Sequence, residues 1–332
     1  MKKLNFIIKC GLALLLLSFY SCESWLNVTP SDRLSEEMLF NDREGFVKAL
    51  NGVYIELNTN ELYGRNLTAG ALDVMGQYYS VASSSHAFYN YGGLVYTGND
   101  EKALFDNMWQ KCYAVIACCN TIIEKCDENK AGLSPVWKGA IKGEALALRA
   151  MLHFDMLRLF GPLTSELDKE SIPYQTNSDQ TVTPLLSGSE VVGLILDDLK
   201  NAVGLLKDTD PYFVEEEFSD TDLNYRRFRM NYFAAKGLMA RVQLWGGDKE
   251  KAAATAKEVI AEGQAEGAEF FPFVTNSEAT SSNPDRVFYS EVLFGTYHSS
   301  REKLHEDLFA PTLESTSILT LAGTARRDDL YD

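Results

Sequence analysis

The side chains that most often carry out chemistry in proteins are few in this 332-residue sequence, and their spacing does not suit catalysis. The histidines are His86, His153, His298 and His305. His153 lies within an amphipathic helical pattern, where a packed and hydrogen-bonded histidine is expected, and the others lie in predicted loops without ligand spacing. The G-x-S-x-G, H-E-x-x-H, phosphate-loop and strand-linked G-x-G-x-x-G motifs do not occur. The sequence therefore predicts no catalytic residues, no metal site and no cofactor.

Cysteines could bind zinc or form disulfides, but their spacing favours neither. Cys112, Cys118, Cys119 and Cys126 fall in one predicted helix. Helical residues seven positions apart are separated by about 10 Å, which is too far for a disulfide. The C-x(2 to 4)-C pairs of zinc sites are also missing. We therefore expect these cysteines to be small packed residues at a helix contact.

Paired carboxylates remain a possible route to catalysis, because glycoside hydrolysis needs only two acids separated by about 5 to 9 Å. Acidic residues are too common here for the sequence to identify such a pair. The runs "DDL" at Asp197 and "EEE" at Glu215 are expected to be solvated helix faces. A helical glycoside hydrolase is kept as an alternative.

The N-terminus has the pattern of a secretory signal peptide. Lys2, Lys3 and Lys9 accompany an uncharged run from Gly11 to Ser21, which is too short for a transmembrane helix of about 20 residues. The run stops at Cys22, and the residues before that cysteine resemble a loose bacterial lipobox. We predict that residues 1–21 are removed and that Cys22 carries acyl chains such as palmitate. A plain secreted protein is the alternative.

The composition is that of a globular protein with a strongly acidic surface. The formal net charge is −16, and it becomes more negative once the lysines of the signal are removed. Such a body is repelled by nucleic acids and by anionic lipid headgroups, so neither is expected to be a partner. Aromatic residues make up 11% of the chain, a content that suits recognition of sugars or peptides as well as core packing.

Hydrophobic periodicity predicts a mainly helical mature chain. Capping and stop signals place the longest helices at about 42–57, 100–129, 135–160, 189–207, 232–245 and 249–263. Predicted N-terminal caps include a box of Asn41 with Glu44, Ser134 before a proline, and a box of Ser187 with Glu190. The stretch "RVFYSEVLFGTY" alternates in the manner of a short strand. No composition shift marks a domain boundary.

Short connections predict that neighbouring helices form antiparallel hairpins. The turn "AGLS" joins the two longest helices, and small alanines let the last two helices approach closely, as in a tetratricopeptide-type hairpin. In contrast, the forty residues that follow the first long helix are rich in Gly, Ser, Asn and Tyr. Structured loops of that length tend to be functional.

Several ordered stretches of the sequence carry a family resemblance. They are "SCESWLNVTPSD", "MWQKCYAVIACCNTII", "GEALALRAMLHFDMLRLFG", "ILDDLKNAV" and "NYFAAKGLMARVQLWGGDKEKAAATAKEVI". Their order and spacing resemble those of the SusD/RagB family over nearly the whole mature chain.

The resemblance implies an all-α, tetratricopeptide-like scaffold with long irregular loops, spanning residues 22–332. It also implies a surface-exposed lipoprotein of the outer membrane that binds glycan nutrients and delivers them to a SusC-like TonB-dependent transporter, without catalysis. Some members of the family bind peptides instead, so a peptide-binding function is a second alternative, and a scaffold for a protein partner is a third. Because members are normally longer, we expect this chain to be incomplete at its C-terminus.

The resemblance places the ligand site in the Tyr-rich loop after the first long helix. Aromatic rings could bury the C–H faces of sugar rings there, while polar neighbours bond the hydroxyls. The candidate stacking residues are Tyr78, Tyr79, Phe88, Tyr89, Tyr91 and Tyr96. The candidate hydrogen-bonding residues are Asn90 and His86. We expect about half of these rings to pack against helices instead.

Overall fold

The structure is a computed structural model that describes residues 36–179, 181–218, 221–265 and 268–321. The predicted signal segment and Cys22 lie outside these residues. Within the described part of the chain, no helix combines the length and the apolar character that a membrane span needs.

Helices account for most of the regular structure. In chain order they are α1 (Glu36–Leu39), α2 (Arg43–Leu57), α3 (Ala71–Met75), α4 (Tyr89–Gly92), α5 (Asn99–Glu128), α6 (Pro135–Phe160), α7 (Gly188–Thr209), α8 (Glu215–Phe218), α9 (Tyr232–Trp245), α10 (Lys249–Gly263), α11 (Asn276–Ala279) and α12 (Arg301–Leu308). Short antiparallel strand pairs are β1 (Tyr79–Ser80) with β6 (Thr320–Leu321), β2 (Glu170–Pro173) with β3 (Leu185–Ser187), and β4 (Gln264–Ala265) with β5 (Ala268–Glu269). The predicted all-α scaffold is confirmed.

Side-chain caps set most helix starts where the sequence predicts them. Ser134 Oγ accepts the Trp137 N–H at 3.4 Å, and Pro135 occupies the first turn of α6. At α7, Ser187 and Glu190 cap each other's backbone in a reciprocal box. These contacts satisfy N–H groups that have no partner inside the helix.

The predicted cap of α2 is wrong. Asp42 is the N-cap instead of Asn41, and its Oδ1 accepts the Gly45 N–H at 2.8 Å. Glu44 lies in the first turn and pairs with Lys48 at 2.7 Å. Asn and Asp are equally good cap types, so the choice depends on which residue has the extended backbone that a cap needs. Asp42 has it, with φ −144°.

Helix α6 lies at the centre of a group of packed helices, which we call the helical stack. The other members of this stack are α2, α5, α7 and α9. Helix α6 packs between α5 and α7, and its buried residues occupy every face. Two glycines allow α7 to approach closely. A Cβ at Gly143 would lie 2.8 Å from Leu206 Cγ, and one at Gly139 would lie 2.6 Å from Thr209 Cγ2. A larger side chain at either position would therefore push α7 away.

The cysteines of α5 are free thiols. Cys112, Cys119 and Cys126 are buried in the main core, as predicted, and Cys112 Sγ lies 3.8 Å from the Leu152 carbonyl oxygen. Burial raises the pKa of all three thiols. The expected packing is wrong for Cys118, which is exposed because it points about 100° away from Cys119 around the same helix.

The second hairpin joins α9 to α10. These helices pack along each other and are linked by Gly246 and Gly247. Gly247 has φ 92°, a left-handed conformation that favours glycine. Asp248 then caps α10 by accepting the Lys251 N–H at 3.0 Å. The predicted hairpin is confirmed.

The segment between α2 and α5 is a structured loop with a small core of its own, which we call the loop core. Its buried members are Ala71, Val74, Phe88, Tyr91, Leu308 and Leu319. Leu308 and Leu319 come from the last part of the described chain, and strand pairing of Tyr79 with Leu321 joins the same two segments. Residues far apart in sequence therefore hold this loop in shape.

The strand predicted within residues 286–297 is wrong. The stretch contains a 3-10 turn at Tyr289–Glu291 instead. Phe288 has φ 51°, which breaks an extended chain. The Asp285 carboxylate accepts the N–H groups of Val287 and Tyr289 at 3.0 and 2.7 Å and holds the turn.

Candidate ligand-binding site

Three of the predicted site residues are buried, two of them in the loop core and one packed against it. His86, Phe88 and Tyr91 are 5%, 5% and 3% exposed. The ring centroids of His86 and Phe88 are 5.7 Å apart, and those of Phe88 and Tyr91 are 5.9 Å apart. The Phe88 N–H donates to His86 Nδ1 at 3.0 Å. Because a buried ring cannot offer its face to a ligand, the rings of Phe88 and Tyr91 serve packing, whereas His86 Nε2 is buried without a hydrogen-bond partner among the described residues.

Burial also affects the chemistry of Tyr91. It raises the pKa of the Tyr91 phenol to about 12, with Glu101 and Asp100 adding to the effect. The hydroxyl lies 3.5 Å from the Asp100 carbonyl oxygen. Tyr91 therefore stays neutral at physiological pH and anchors the loop on the start of α5.

Above the loop core lies a surface cleft of about 470 Å³, which we call the loop cleft. Three predicted site residues line it, namely Tyr79, Tyr89 and Asn90. Tyr89 is 44% exposed and follows directly on buried Phe88. Gln77, another lining residue, has φ 62° at the tight turn after α3. The cleft thus combines an exposed phenol ring with amide groups.

Asn90 is held in place within this cleft. Its Nδ2 donates to Glu101 Oε1 at 2.8 Å, and Glu101 is itself 5% exposed at the start of α5. This hydrogen bond to a charged acceptor ties the loop to the helical stack. The amide therefore has a defined position before any ligand arrives.

The remaining two predicted site residues flank the loop cleft. Tyr78 is 52% exposed, and its ring lies over Gly76, where a Cβ would be 3.3 Å from two ring carbons. Tyr96 is half-buried, with its ring edge-on to Phe105 at 5.4 Å, and burial raises the pKa of its phenol. Neither residue lines the loop cleft.

A second cleft was missed at the sequence level. It has a volume of about 450 Å³ and lies between the C-terminal half of α2 and residues far along the chain, and we call it the aromatic cleft. Its walls include Tyr54, Tyr225, Phe228, Arg229 and Tyr297. The run "NYRRF" signals an aromatic and basic loop, but no local pattern pairs it with α2 some 170 positions earlier.

The histidine and cysteine side chains of the described residues are not gathered into a metal site. No group of three His, Cys, Asp or Glu side chains within them is arranged to hold a metal ion. His153 accepts the Gln175 N–H at Nε2 and contacts the Arg149 carbonyl oxygen through Nδ1, each at 3.0 Å. Burial lowers its pKa to about 3. The predicted packing role of His153 is confirmed.

The family model described as "Starch-binding associating with outer membrane" matches residues 24–244, more than half of the chain. The chain belongs to the SusD-like family.

Known members of the family are similar to this chain in sequence and in fold. The chain is 26% identical over 265 residues to SusD-like protein P2 of Formosa agariphila, a match that covers 78% of this chain and 46% of that protein. A SusD superfamily protein of Bacteroides thetaiotaomicron superposes with a TM-score of 0.65 at 20% identity, covering 88% of this chain and 62% of that one. A SusD-like carbohydrate binding protein of Bacteroides vulgatus superposes with a TM-score of 0.56 at 23% identity. That match covers 72% of this chain and 47% of the other.

These likenesses establish the SusD-like fold of the chain. The chain spans less than half the length of the curated relatives it matches. The family description points to association with the outer membrane.

Proposed function

We propose that this SusD-like protein captures neutral oligosaccharides at the outer membrane and that the loop cleft is a site of capture. The observation that carries the proposal is the exposed ring of Tyr89 beside the hydrogen-bonded amide of Asn90 in the loop cleft. A phenol ring buries the apolar face of a sugar, and an amide pairs with its hydroxyls. Tyr79 lines the same cleft.

The charge of the chain favours a neutral ligand. With a formal net charge of −16, the protein repels polyanionic glycans as well as nucleic acids. The family description names starch, which is neutral. We therefore place neutral polysaccharides first among the ligands to test.

The proposal also includes how the captured glycan is used. A lipid on Cys22 would hold the protein at the cell surface, where a SusC-like TonB-dependent transporter would receive the ligand. The family description supports the membrane association, and the basic and apolar N-terminus supports export. We propose no catalytic step.

Affinity electrophoresis tests the capture step. Native gels that contain amylopectin, xyloglucan, arabinoxylan, laminarin or galactomannan should retard the purified protein in at least one case. Tyr89→Ala should weaken the retardation about tenfold, because one stacking ring is removed. Phe273→Ala is the control, since Phe273 is 64% exposed and lines neither cleft.

Other results of these assays would contradict the proposal or one part of it. Unretarded migration in all five gels would overturn neutral-glycan capture, and binding of a casein tryptic digest in its place would favour the peptide-binding alternative. Release of reducing ends from a retarding polysaccharide would favour the glycoside hydrolase. If Tyr89→Ala migrates like a retarded parent, the loop cleft is not the site.

Membrane attachment is tested separately with Cys22→Ala. We expect labelled palmitate to enter the parent protein and not the variant, and protease added to intact cells to degrade only the parent at the surface. Labelling of the variant to the same extent as the parent would remove the anchor from the proposal.

A further inference from the structure

The aromatic cleft contains a buried donor and a buried acceptor that the described chain leaves unused. Arg229 Nη2 and Asn58 Oδ1 are both shielded from solvent, and neither has a hydrogen-bond partner among the described residues. Both residues line this cleft. A buried polar atom without a partner costs about 1 to 3 kcal/mol, so these two atoms need an explanation.

The rest of each side chain is held firmly in place. Arg229 Nε donates to Glu144 Oε1 at 2.8 Å, and Nη1 donates to Asn51 Oδ1 at 2.6 Å. The Arg229 side chain is only 6% exposed. Asn58 Nδ2 donates to the Tyr54 carbonyl oxygen at 2.9 Å. Hydrogen bonds within the protein therefore hold the two unused atoms in fixed positions.

Exposed rings border these polar atoms. Tyr225 and Tyr297 are 67% and 64% exposed, although they line a concave surface. The Tyr297 ring stands edge-on to Phe228 at 5.6 Å, and the Arg229 guanidinium lies over the Tyr54 ring at 4.7 Å. Large aromatic faces exposed beside fixed polar atoms are typical of sites that bind rings with both apolar and hydroxylated surfaces.

The charge pattern of the cleft selects the ligand chemistry. The positive charge of Arg229 is already opposed by buried Glu144. A carboxylate or phosphate could accept from Arg229 Nη2 but has no donor for Asn58 Oδ1, and an ammonium could donate to Asn58 Oδ1 but has no acceptor for Arg229 Nη2. A hydroxyl group can both donate and accept, so neighbouring hydroxyls of a neutral sugar satisfy both atoms.

The polar side of the cleft continues beyond Asn58. This residue also lines a neighbouring cleft of about 310 Å³, together with Thr59, Arg65 and His298. Thr59 Oγ1 is another buried atom without a partner among the described residues. The neighbouring cleft offers room and polar groups for a second sugar ring.

From these observations we propose that the aromatic cleft is a second carbohydrate subsite, separate from the loop cleft. It binds a neutral oligosaccharide of at least two rings. The face of one ring stacks on Tyr225 or Tyr297, and adjacent hydroxyls bond Arg229 Nη2 and Asn58 Oδ1. This subsite rests on the proposed function, because it refines which surfaces bind the glycan.

Isothermal titration calorimetry with defined neutral oligosaccharides tests the subsite. Maltoheptaose, xylohexaose, laminarihexaose and mannohexaose are titrated into the full chain, and a trimer of glucuronic acid is the charged comparison. The neutral ligand that binds the parent should bind about tenfold more weakly to whichever of Tyr225→Ala and Tyr297→Ala removes the stacking ring. Phe273→Ala should match the parent, and the acidic trimer should not bind.

The outcomes separate this inference from the proposed function. Thermal melts identify any variant that does not fold, and Tyr225→Leu and Tyr297→Leu then replace it, because they keep apolar volume without an aromatic face. If Tyr89→Ala weakens binding while all Tyr225 and Tyr297 variants bind like the parent, the aromatic cleft is not a subsite and the loop cleft stands. Absence of binding by the parent to all four neutral ligands overturns both, and preference for the acidic trimer overturns the neutral-sugar assignment.

Discussion

The helical stack and the aromatic cleft use arginine in different ways. In the stack, Arg149 donates to Asp198 through Nε and Nη2, each at 2.7 Å, and to Asn120 through Nη1 at 2.8 Å. In the cleft, Arg229 has Glu144 and a neighbouring amide as partners, yet its Nη2 has none among the described residues. An arginine whose nitrogens are all engaged holds helices together. One that keeps a rigid, unused N–H has capacity for a ligand.

Asp197 and Asp198, the adjacent acidic residues of the "DDL" run, have different surroundings on α7. Asp197 is exposed, as predicted for the "DDL" run, but the expectation of a solvated face is wrong for Asp198, which is 7% exposed. Asp198 lies on the side of α7 that faces α6, where it bonds Arg149 and accepts the Tyr174 hydroxyl at 2.5 Å. Adjacent residues on a helix point about 100° apart, so a single run can supply both a solvated and a buried carboxylate.

The largest effect that we expect comes from breaking the pair in the stack. Asp198→Ala leaves the Arg149 charge buried without its main acceptor and should lower the free energy of unfolding by about 3 to 5 kcal/mol. Urea denaturation followed by circular dichroism measures the change. The double variant Arg149→Met with Asp198→Leu should recover much of the loss, because no unpaired charge remains.

An exposed ion pair is the matched control for that experiment. Glu44 and Lys48 are 2.7 Å apart with side chains 73% and 60% exposed. Glu44→Ala should leave the urea midpoint unchanged within error, because solvent screens such pairs. If the Asp198 and Glu44 variants lose equal stability, then burial of the ion pair does not distinguish the stack from the surface.

A smaller effect should follow from mild acid, between pH 7.0 and 5.5, through His153. The structure holds this histidine neutral with a pKa of about 3, whereas an unfolded chain takes up the proton near 6.5. The unfolded state then binds more protons, so the free energy of unfolding falls as the pH drops below 6.5 and continues to fall until about 3. The slope from this group is at most about 1.4 kcal/mol per pH unit.

Urea titrations at pH 7.0, 6.0 and 5.5 measure this slope before most carboxylates titrate. His153→Gln, which carries no proton in this range, should have a lower stability at pH 7.0 but a flatter dependence on pH. Parallel pH dependences for parent and variant would mean that His153 does not supply the difference.

The smallest effect tests the choice between two neighbouring cap residues. Asp42→Ala should lower the free energy of unfolding by about 1 kcal/mol, because the Gly45 N–H loses its acceptor. Asn41→Ala should change it by much less, since Asp42 keeps the cap. The same urea assay compares them, and a larger loss for Asn41→Ala would restore the capping box predicted from the sequence.

The long helices were predictable because their signals are local. Periodic apolar residues and caps such as Ser134 and Ser187 act within one or two turns, and the observed ends of α5 differ from the prediction by one residue. The candidate site was less predictable. The composition of the Tyr-rich loop indicated a site, but it could not separate Tyr89, which is exposed, from Tyr91, which is buried two residues later.

The sequence by itself therefore determined the helical scaffold, the buried roles of Cys112 and His153, the acidic charge and the resemblance to a glycan-binding family. Only the tertiary structure decided which rings face solvent and which buried polar atoms have no partner among the described residues. The aromatic cleft joins Asn58 to Tyr225 and Tyr297, and the loop core needs Leu308 and Leu319 beneath Phe88. Such contacts depend on how helices pack over long sequence separations, and no local propensity or spacing records them.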